Sequence, residues 1–235
     1  MFRKLIFSAF GAGLAVCVAV SVLQQFTTEP LILGAEVYEK AAGATHDHMA
    51  ATLAAAAAPS VAPAEEGWQP ADGFERTAYT ALANLLVGIA ISLVLLGAMG
   101  LKGETIDARR GLLWGLAGFA AASLLPALGL PPELPATPSA DLLPRQAWWL
   151  ATAAASGLGI FLLVYGNGWL WRALALVLIV APHVIGAPEP PSLVAAYPAA
   201  MAADFVIASL IVSAAVWLLA GLASGWLHQR LARAE

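Results

Sequence analysis

Charged residues and cysteine are scarce in this sequence of 235 residues. Only 11% of the residues are charged, whereas soluble domains carry about a quarter, so this composition cannot clothe a water-exposed surface. The single cysteine, Cys17, lies inside an apolar run, which excludes a disulfide framework and a cysteine metal site within one chain. The formal net charge is −4, and no nucleic-acid partner is expected.

Motifs of several enzyme classes are also missing. The sequence contains no GxxxxGK[ST] phosphate loop, no G-x-S-x-G elbow and no HExxH helix. A haem held by two histidines across a bilayer requires both at a similar depth, but His183 and His228 are predicted at different depths. We therefore predict that the protein is not an enzyme.

Hydrophobic residues make up 60% of the chain. Six runs approach the roughly 20 residues that cross a hydrocarbon core of about 30 Å, which predicts an all-α, polytopic membrane helix bundle of about six transmembrane helices. The first run is longer than the apolar region of a secretory signal. The runs extend from about Leu5 to Phe26, Ala78 to Gly100, Gly111 to Leu130, Ala147 to Gly166, Trp169 to Ala187 and Ala203 to Leu227.

Basic residues set the predicted orientation. With six spans and both termini in the cytoplasm, most of the basic residues lie inside, as the positive-inside rule requires. The predicted location is the bacterial inner membrane, with residues 1–26 as the first helix, 27–77 as an outer loop, 78–228 as a five-helix bundle and 229–235 as a cytoplasmic tail. The inside residues are Arg3, Lys4, Lys102, Arg109, Arg110, Arg172, Arg230 and Arg233, and the outside ones are Lys40, Arg76 and Arg145.

The outer loop concentrates side chains that bind metals. Glu36 and Glu39 would share one face of a helix, and His46, Asp47 and His48 place two imidazoles around a carboxylate. Imidazole with carboxylate suits zinc, nickel or cobalt. The alternative interpretation is a solvated polar loop. An Ala/Pro-rich stretch then predicts a flexible tether.

The second span begins after a predicted helix cap. Asp72 followed three residues later by Glu75 is typical of a capping box. Small residues at Gly111, Gly115 and Gly118, and at Gly221 and Gly225, favour close helix packing.

His183 is the main intramembrane candidate. It lies eleven residues after Arg172, about 16 Å at 1.5 Å per residue, which predicts a position near mid-bilayer. Ionisable groups at such depth are functional candidates, and Pro182 frees a backbone carbonyl one turn earlier. The alternative is a neutral histidine bonded to a neighbouring helix. Polar groups predicted to line an outward vestibule with His183 include Gln25, Asn84, Ser123 and Asp204, and Glu189 is a further residue predicted for the path of the ion.

Five sequence blocks resemble the CbtA family of predicted cobalt transporter subunits. The blocks extend over nearly the whole chain and together are specific. They are LQQFTTEPLILGAEVYE, WQPADGFERTAYTALANLL, RRGLLWGLAGFAAASLLPALGLPPELP, DLLPRQAWWLATAAASGLGI and APHVIGAPEPP.

This resemblance implies a membrane protein that moves cobalt for cobamide synthesis, paired with a small single-span, histidine-bearing subunit, CbtB. Ni²⁺ and Zn²⁺ are the alternative ions, and no resident cofactor is implied. This chain has only the short HDH where relatives carry longer histidine-rich stretches. The matching candidate positions are Glu36, Glu39, His46, His48, His183 and Glu189.

Three hypotheses follow for the function. The leading one is a permease-type subunit for a divalent metal, in which the acidic loop gathers the ion and His183 marks its passage. The second is a structural or assembly subunit of a larger membrane complex, without metal transport of its own. The third is an outward metal sensor or chaperone, which would bind metal in the loop without transport.

Overall fold

The computed structural model describes residues 2–54, 68 and 70–234, with side chains described for 2–41, 68 and 70–234, and these residues form an all-helical architecture, as predicted. Seven helices follow one another along this part of the chain. They are α1 (Phe2–Phe26), α2 (Thr28–Ala54), α3 (Phe74–Lys102), α4 (Ala108–Ala127), α5 (Leu142–Tyr165), α6 (Trp169–Ile185) and α7 (Ala199–Arg233).

The helices agree with the predicted spans. Among the described residues, α1, α3, α4, α5 and α7 are long and apolar enough to cross a membrane. Helix α6 has 17 residues, about 25 Å, which is at the lower limit for a hydrocarbon core of about 30 Å. The prediction of about six membrane helices is thus confirmed, and the chain is a multi-pass membrane protein.

Helix α2 occupies the front of the segment that the sequence predicted as an outer loop. It follows α1 after a break at Thr27, whose hydroxyl donates to the Leu23 carbonyl at 2.7 Å. Pro30 has no N–H for the Phe26 carbonyl, which explains the break. Beyond it, alanine-rich sequence of high helix propensity continues to Ala54. We call the end of the bundle at the α1–α2 break the outer end, following the predicted orientation.

The start of α3 differs from the prediction. Its N-cap is Gly73, with φ of 89°, and no side chain caps it, so the capping box at Asp72 and Glu75 is wrong. Because the helix begins one residue later than predicted, Asp72 lies outside the capping position. It pairs instead with Arg76 at 3.6 Å, while Glu75 accepts the Ala71 N–H at 3.3 Å.

Four helices, α1, α3, α4 and α7, form the core of the bundle. Two buried clusters lie among them. Helix α2 adds a third cluster at the outer end, so that it covers part of the bundle. The clusters are Val16, Val20, Val212, Val216 and Ala220; Ala9, Leu95, Leu96 and Met99; and Ala35, Leu134, Tyr197 and Phe205.

Glycines bring α4 and α7 into backbone contact. A Cβ atom added to Gly111 would lie well under 3.0 Å from the Gly221 carbonyl oxygen, and one on Gly115 would meet the Trp217 carbonyl in the same way. Gly225 lies equally close to the Asp107 carbonyl. Such distances leave no room for any side chain, which confirms the prediction of close packing at these glycines.

Helices α5 and α6 form a hairpin at the edge of the core. Their backbones approach at Gly159, where an added Cβ would lie 2.9 Å from the Ala175 carbonyl oxygen. The hairpin meets the core mainly through a π-helical segment of α4, Ala120–Leu124. Helix α6 packs almost entirely on α5, so it is the membrane helix with the least support from the core.

Candidate functional site

His183 lies in the last turn of α6, two residues before the helix ends. Its ring faces the edge of Trp148 on α5, with ring centroids 5.9 Å apart and planes at 68°. The Trp148 indole N–H donates to the Pro182 carbonyl at 3.3 Å. This tryptophan therefore fixes both the end of α6 and the imidazole that it carries.

One ring nitrogen of His183 has no hydrogen-bond partner in the described structure. Its Nε2 atom is buried, and no described residue gives it a hydrogen bond. The alternative interpretation, a histidine bonded to a neighbouring helix, is therefore not realised at this atom. Leaving a buried polar atom unpaired costs about 1–3 kcal/mol, so Nε2 is a candidate for a water molecule or a metal ion.

Two further polar atoms on the hairpin are also buried without a hydrogen-bond partner. Thr152 and Ser156, one and two turns beyond Trp148 on α5, are 0% exposed. Their hydroxyl oxygens have no partner among the described residues. Pro182 also gives no N–H to the Leu178 carbonyl. Neither hydroxyl was predicted from the sequence, although Thr152 and Ser156 lie four and eight residues after Trp148 and so share its side of the helix.

Asn84 does not meet His183. Its side-chain amide donates to Ser21 at 2.9 Å and to Gln24 at 2.7 Å, both on α1. Asn84 therefore ties α3 to α1 within the core, whereas His183 belongs to the hairpin at the edge. Gln25 is exposed and donates to Glu29.

Two more residues predicted for the path are exposed. Asp204 lies in the second turn of α7, and Glu189 lies in the segment after α6. None of the described hydrogen bonds or ring contacts joins Gln25, Asn84, Glu189 or Asp204 to His183. Their common path therefore stays a prediction.

The acidic residues of α2 differ in their surroundings. Glu36 accepts a hydrogen bond from Arg76 at 2.5 Å, which joins α2 to the start of α3. Glu39 is exposed. The backbone of α2 continues through His46, Asp47 and His48, but their side chains lie outside the described residues.

Glu104 forms a polar cluster at the inner end that the sequence did not reveal. Its carboxylate accepts hydrogen bonds from Tyr165 Oη at 2.6 Å and from Trp114 Nε1 at 3.1 Å. The bond from Tyr165 and then that from Trp114 lower the pKa of Glu104 below its ordinary value of 4.5. Lys102 lies 4.5 Å above the Tyr165 ring. The cluster joins the α3–α4 turn to the end of α5.

Grouped metal ligands are absent from the part of the chain that the structure describes, where no three His, Cys, Asp or Glu side chains lie together. A metal ion at His183 would therefore take further ligands from oxygen atoms. On the α5–α6 hairpin, the Thr152 and Ser156 hydroxyls are the buried oxygen atoms without a described partner. Water would supply the rest.

The sequence model of a family described as "Probable cobalt transporter subunit (CbtA)" matches residues 2–229. The match covers all seven helices, apart from the last residues of α7. Comparison with curated proteins and with solved structures gave no match.

Proposed function

The chain belongs to the CbtA family of probable cobalt transporter subunits, and from this premise we propose that it is the permease-type subunit of an uptake system for a divalent metal ion. The ion is cobalt, and the uptake serves cobamide synthesis. The protein resides in the bacterial inner membrane as a multi-pass subunit. The metal is cargo rather than a resident cofactor.

The unpaired, buried Nε2 atom of His183 carries the proposal. A neutral imidazole is a good ligand for cobalt, nickel and zinc. In an apolar bundle with few charged groups, an imidazole nitrogen without a partner is costly unless an ion or water uses it. The Trp148 contacts hold the ring in place, so that its nitrogen is available in one orientation.

The outer residues gather the ion in this proposal. Glu39, His46, Asp47 and His48 of α2 supply the carboxylates and imidazoles that first capture it, and Glu36 contributes once Arg76 releases it. A small single-span, histidine-bearing partner of the CbtB type completes the transporter. Gln25, Asn84, Glu189 and Asp204 provide polar surface at the outer end.

Replacement of His183 tests the proposal. In cells that produce the chain with its partner subunit, His183→Ala and His183→Gln should each lower accumulation of radioactive cobalt at least tenfold. His228→Gln, at the inner end of α7, is the matched control, because the Nδ1 atom of His228 is also buried without a described partner. It should retain nearly full accumulation, and an equal loss in both variants would show that an unpaired imidazole nitrogen does not mark the path of the ion. Full accumulation in a His183→Ala variant that is present in the membrane at the normal level would refute the proposal.

A structural or assembly role is the second candidate. The lack of a group of three metal-binding side chains among the described residues favours it. Purification from the native membrane separates the two. A large stoichiometric complex, together with unchanged cobalt uptake in a deletion strain, would establish the structural role.

A further inference from the structure

A cavity of about 730 Å³ opens at the outer end between α4, α5 and α7. Glu133, Arg145 and Gln146 lie on its wall, and Ser123 and Ser213 line it from α4 and α7. Ser213 lies fourteen residues into α7, about 21 Å along the helix. The cavity therefore extends from Glu133, in the segment after α4, to the middle third of α7.

The π-helical segment of α4 forms one wall of this cavity. The Leu125 N–H bonds to the carbonyl of Ala120, five residues earlier, rather than to the residue four earlier as in an α-helix. Pro126, next along the chain, has no N–H to give to the carbonyls one turn before it. Ala122, in this turn, lines the cavity. Such interruptions occur mostly at functional sites, and transporters use the freed carbonyls to bind ions.

The wall offers oxygen atoms rather than nitrogen or sulfur ligands. Most of the described lining residues are apolar. The polar ones are Ser123, Glu133, Arg145, Gln146 and Ser213, and no histidine or cysteine is among them. Six waters at about 30 Å³ each occupy roughly 180 Å³, so a fully hydrated divalent ion fits with room to spare. Oxygen ligands suit an ion that is bound through its own waters.

An ion pair controls the charge at the wall. Glu133 Oε2 accepts from Arg145 Nη2 at 2.7 Å and from the Ser139 hydroxyl at 2.6 Å. Arg145 Nε is buried, and no described residue accepts its hydrogen bond. While the pair is closed, the guanidinium cancels the carboxylate charge. A cation that binds Glu133 must therefore compete with Arg145.

We propose that this cavity is a binding site for a hydrated divalent cation, held by Glu133, Gln146, Ser123 and Ser213, with Arg145 as a built-in competitor for the carboxylate. Naming the ion cobalt rests on the proposed function, but the cavity and its donors do not. The site lies on a different face of α5 from His183, because Trp149 lines it while the adjacent Trp148, about 100° away around the helix, contacts the imidazole.

Cysteine labelling tests the site without measuring transport. In a Cys17→Ala background, Ser213→Cys should react with a membrane-impermeant maleimide, and Co²⁺ should slow the reaction at least threefold. Ile211→Cys, 52% exposed on the same helix but absent from the cavity wall, should not react because it faces lipid. Leu193→Cys, at a residue that is 91% exposed in the segment after α6 and absent from the cavity wall, should react equally with and without Co²⁺. It controls for direct binding of the ion to a thiolate.

Two charge variants should change the affinity of the cavity for Co²⁺ in opposite directions. In the Ser213→Cys protein, Glu133→Gln should raise the Co²⁺ concentration for half-protection at least tenfold, whereas Arg145→Gln should lower it. Four outcomes would overturn the site. In the first, Ser213→Cys is not labelled; in the second, it is labelled without protection by Co²⁺; in the third, phosphate protects it instead of Co²⁺. The fourth is a change of the half-protection concentration in the same direction in both charge variants. If Co²⁺ protects Ser213→Cys but the unmodified protein takes up no cobalt, the site is supported and the permease role is refuted. If the protein takes up cobalt but Co²⁺ gives no protection, the permease role is supported and the site is refuted.

Discussion

The four-helix core and the α5–α6 hairpin use polar residues in different ways. In the core, the Ser92 hydroxyl donates to the Ala220 carbonyl and the Ser224 hydroxyl to the Gly221 carbonyl. In the hairpin, the buried hydroxyls of Thr152 and Ser156 have no partner in the described structure. The two serine hydroxyls of the core thus serve packing, and the unpaired buried polar atom on a core helix, His228 Nδ1, lies near the inner end of α7. The hairpin is less supported and retains polar atoms that a ligand can use.

The largest expected effect on stability comes from adding a side chain at a glycine where two core helices touch. Gly221→Val would force a side chain into the Gly111 carbonyl, and because the carbonyl belongs to the backbone of a packed helix, no rotamer change relieves the overlap. We expect a loss of at least about 3 kcal/mol in stability, seen as failure to obtain a monodisperse protein in detergent.

Gly97→Val on α3 is the control for that substitution, since no atom lies within 4 Å of the position where its Cβ would be. It should give a normal yield and a normal elution profile. If both variants behaved alike, the contrast between a closed core and an open edge would not hold.

The sequence predicted the core well because its signals are local. Runs of about 20 apolar residues and glycines four apart determine which helices form and which pack closely. The helix α2 was missed because its polar residues resemble those of a loop, and the cap at Asp72 failed because Gly73 moved the helix start by one residue.

The candidate site was only partly predictable. His183 stood out because an ionisable residue in an apolar run is a local signal. The separation of Asn84 from His183, and the contact of Glu104 with Tyr165, depend on residues about 60 or more positions apart. Contacts between residues so far apart in the chain cannot be predicted from the periodicity of a single sequence.

A smaller effect is expected at the hairpin. Trp148→Phe keeps an aromatic ring beside His183 but removes the N–H bond to the Pro182 carbonyl. The loss should be about 1 kcal/mol, or roughly 2–4 °C in the midpoint of thermal unfolding in detergent. Trp149→Phe, whose indole makes no described hydrogen bond, should leave the midpoint within about 1 °C. An equal decrease in both variants would contradict a specific role for the Trp148 bond.

The smallest effect concerns Glu104, which joins the core to the hairpin at the inner end. Because folding lowers the pKa of this carboxyl below 4.5, its contribution to stability is fully present above that pH and is lost as the pH falls through the lowered pKa. Glu104→Gln should therefore decrease the unfolding midpoint by about 2 °C at pH 7, and the difference from the unmodified protein should shrink below pH 4.5. A Glu104→Gln difference that stayed constant down to pH 3 would mean that the neutral amide loses packing rather than charge, and the link between core and hairpin would then not depend on ionisation.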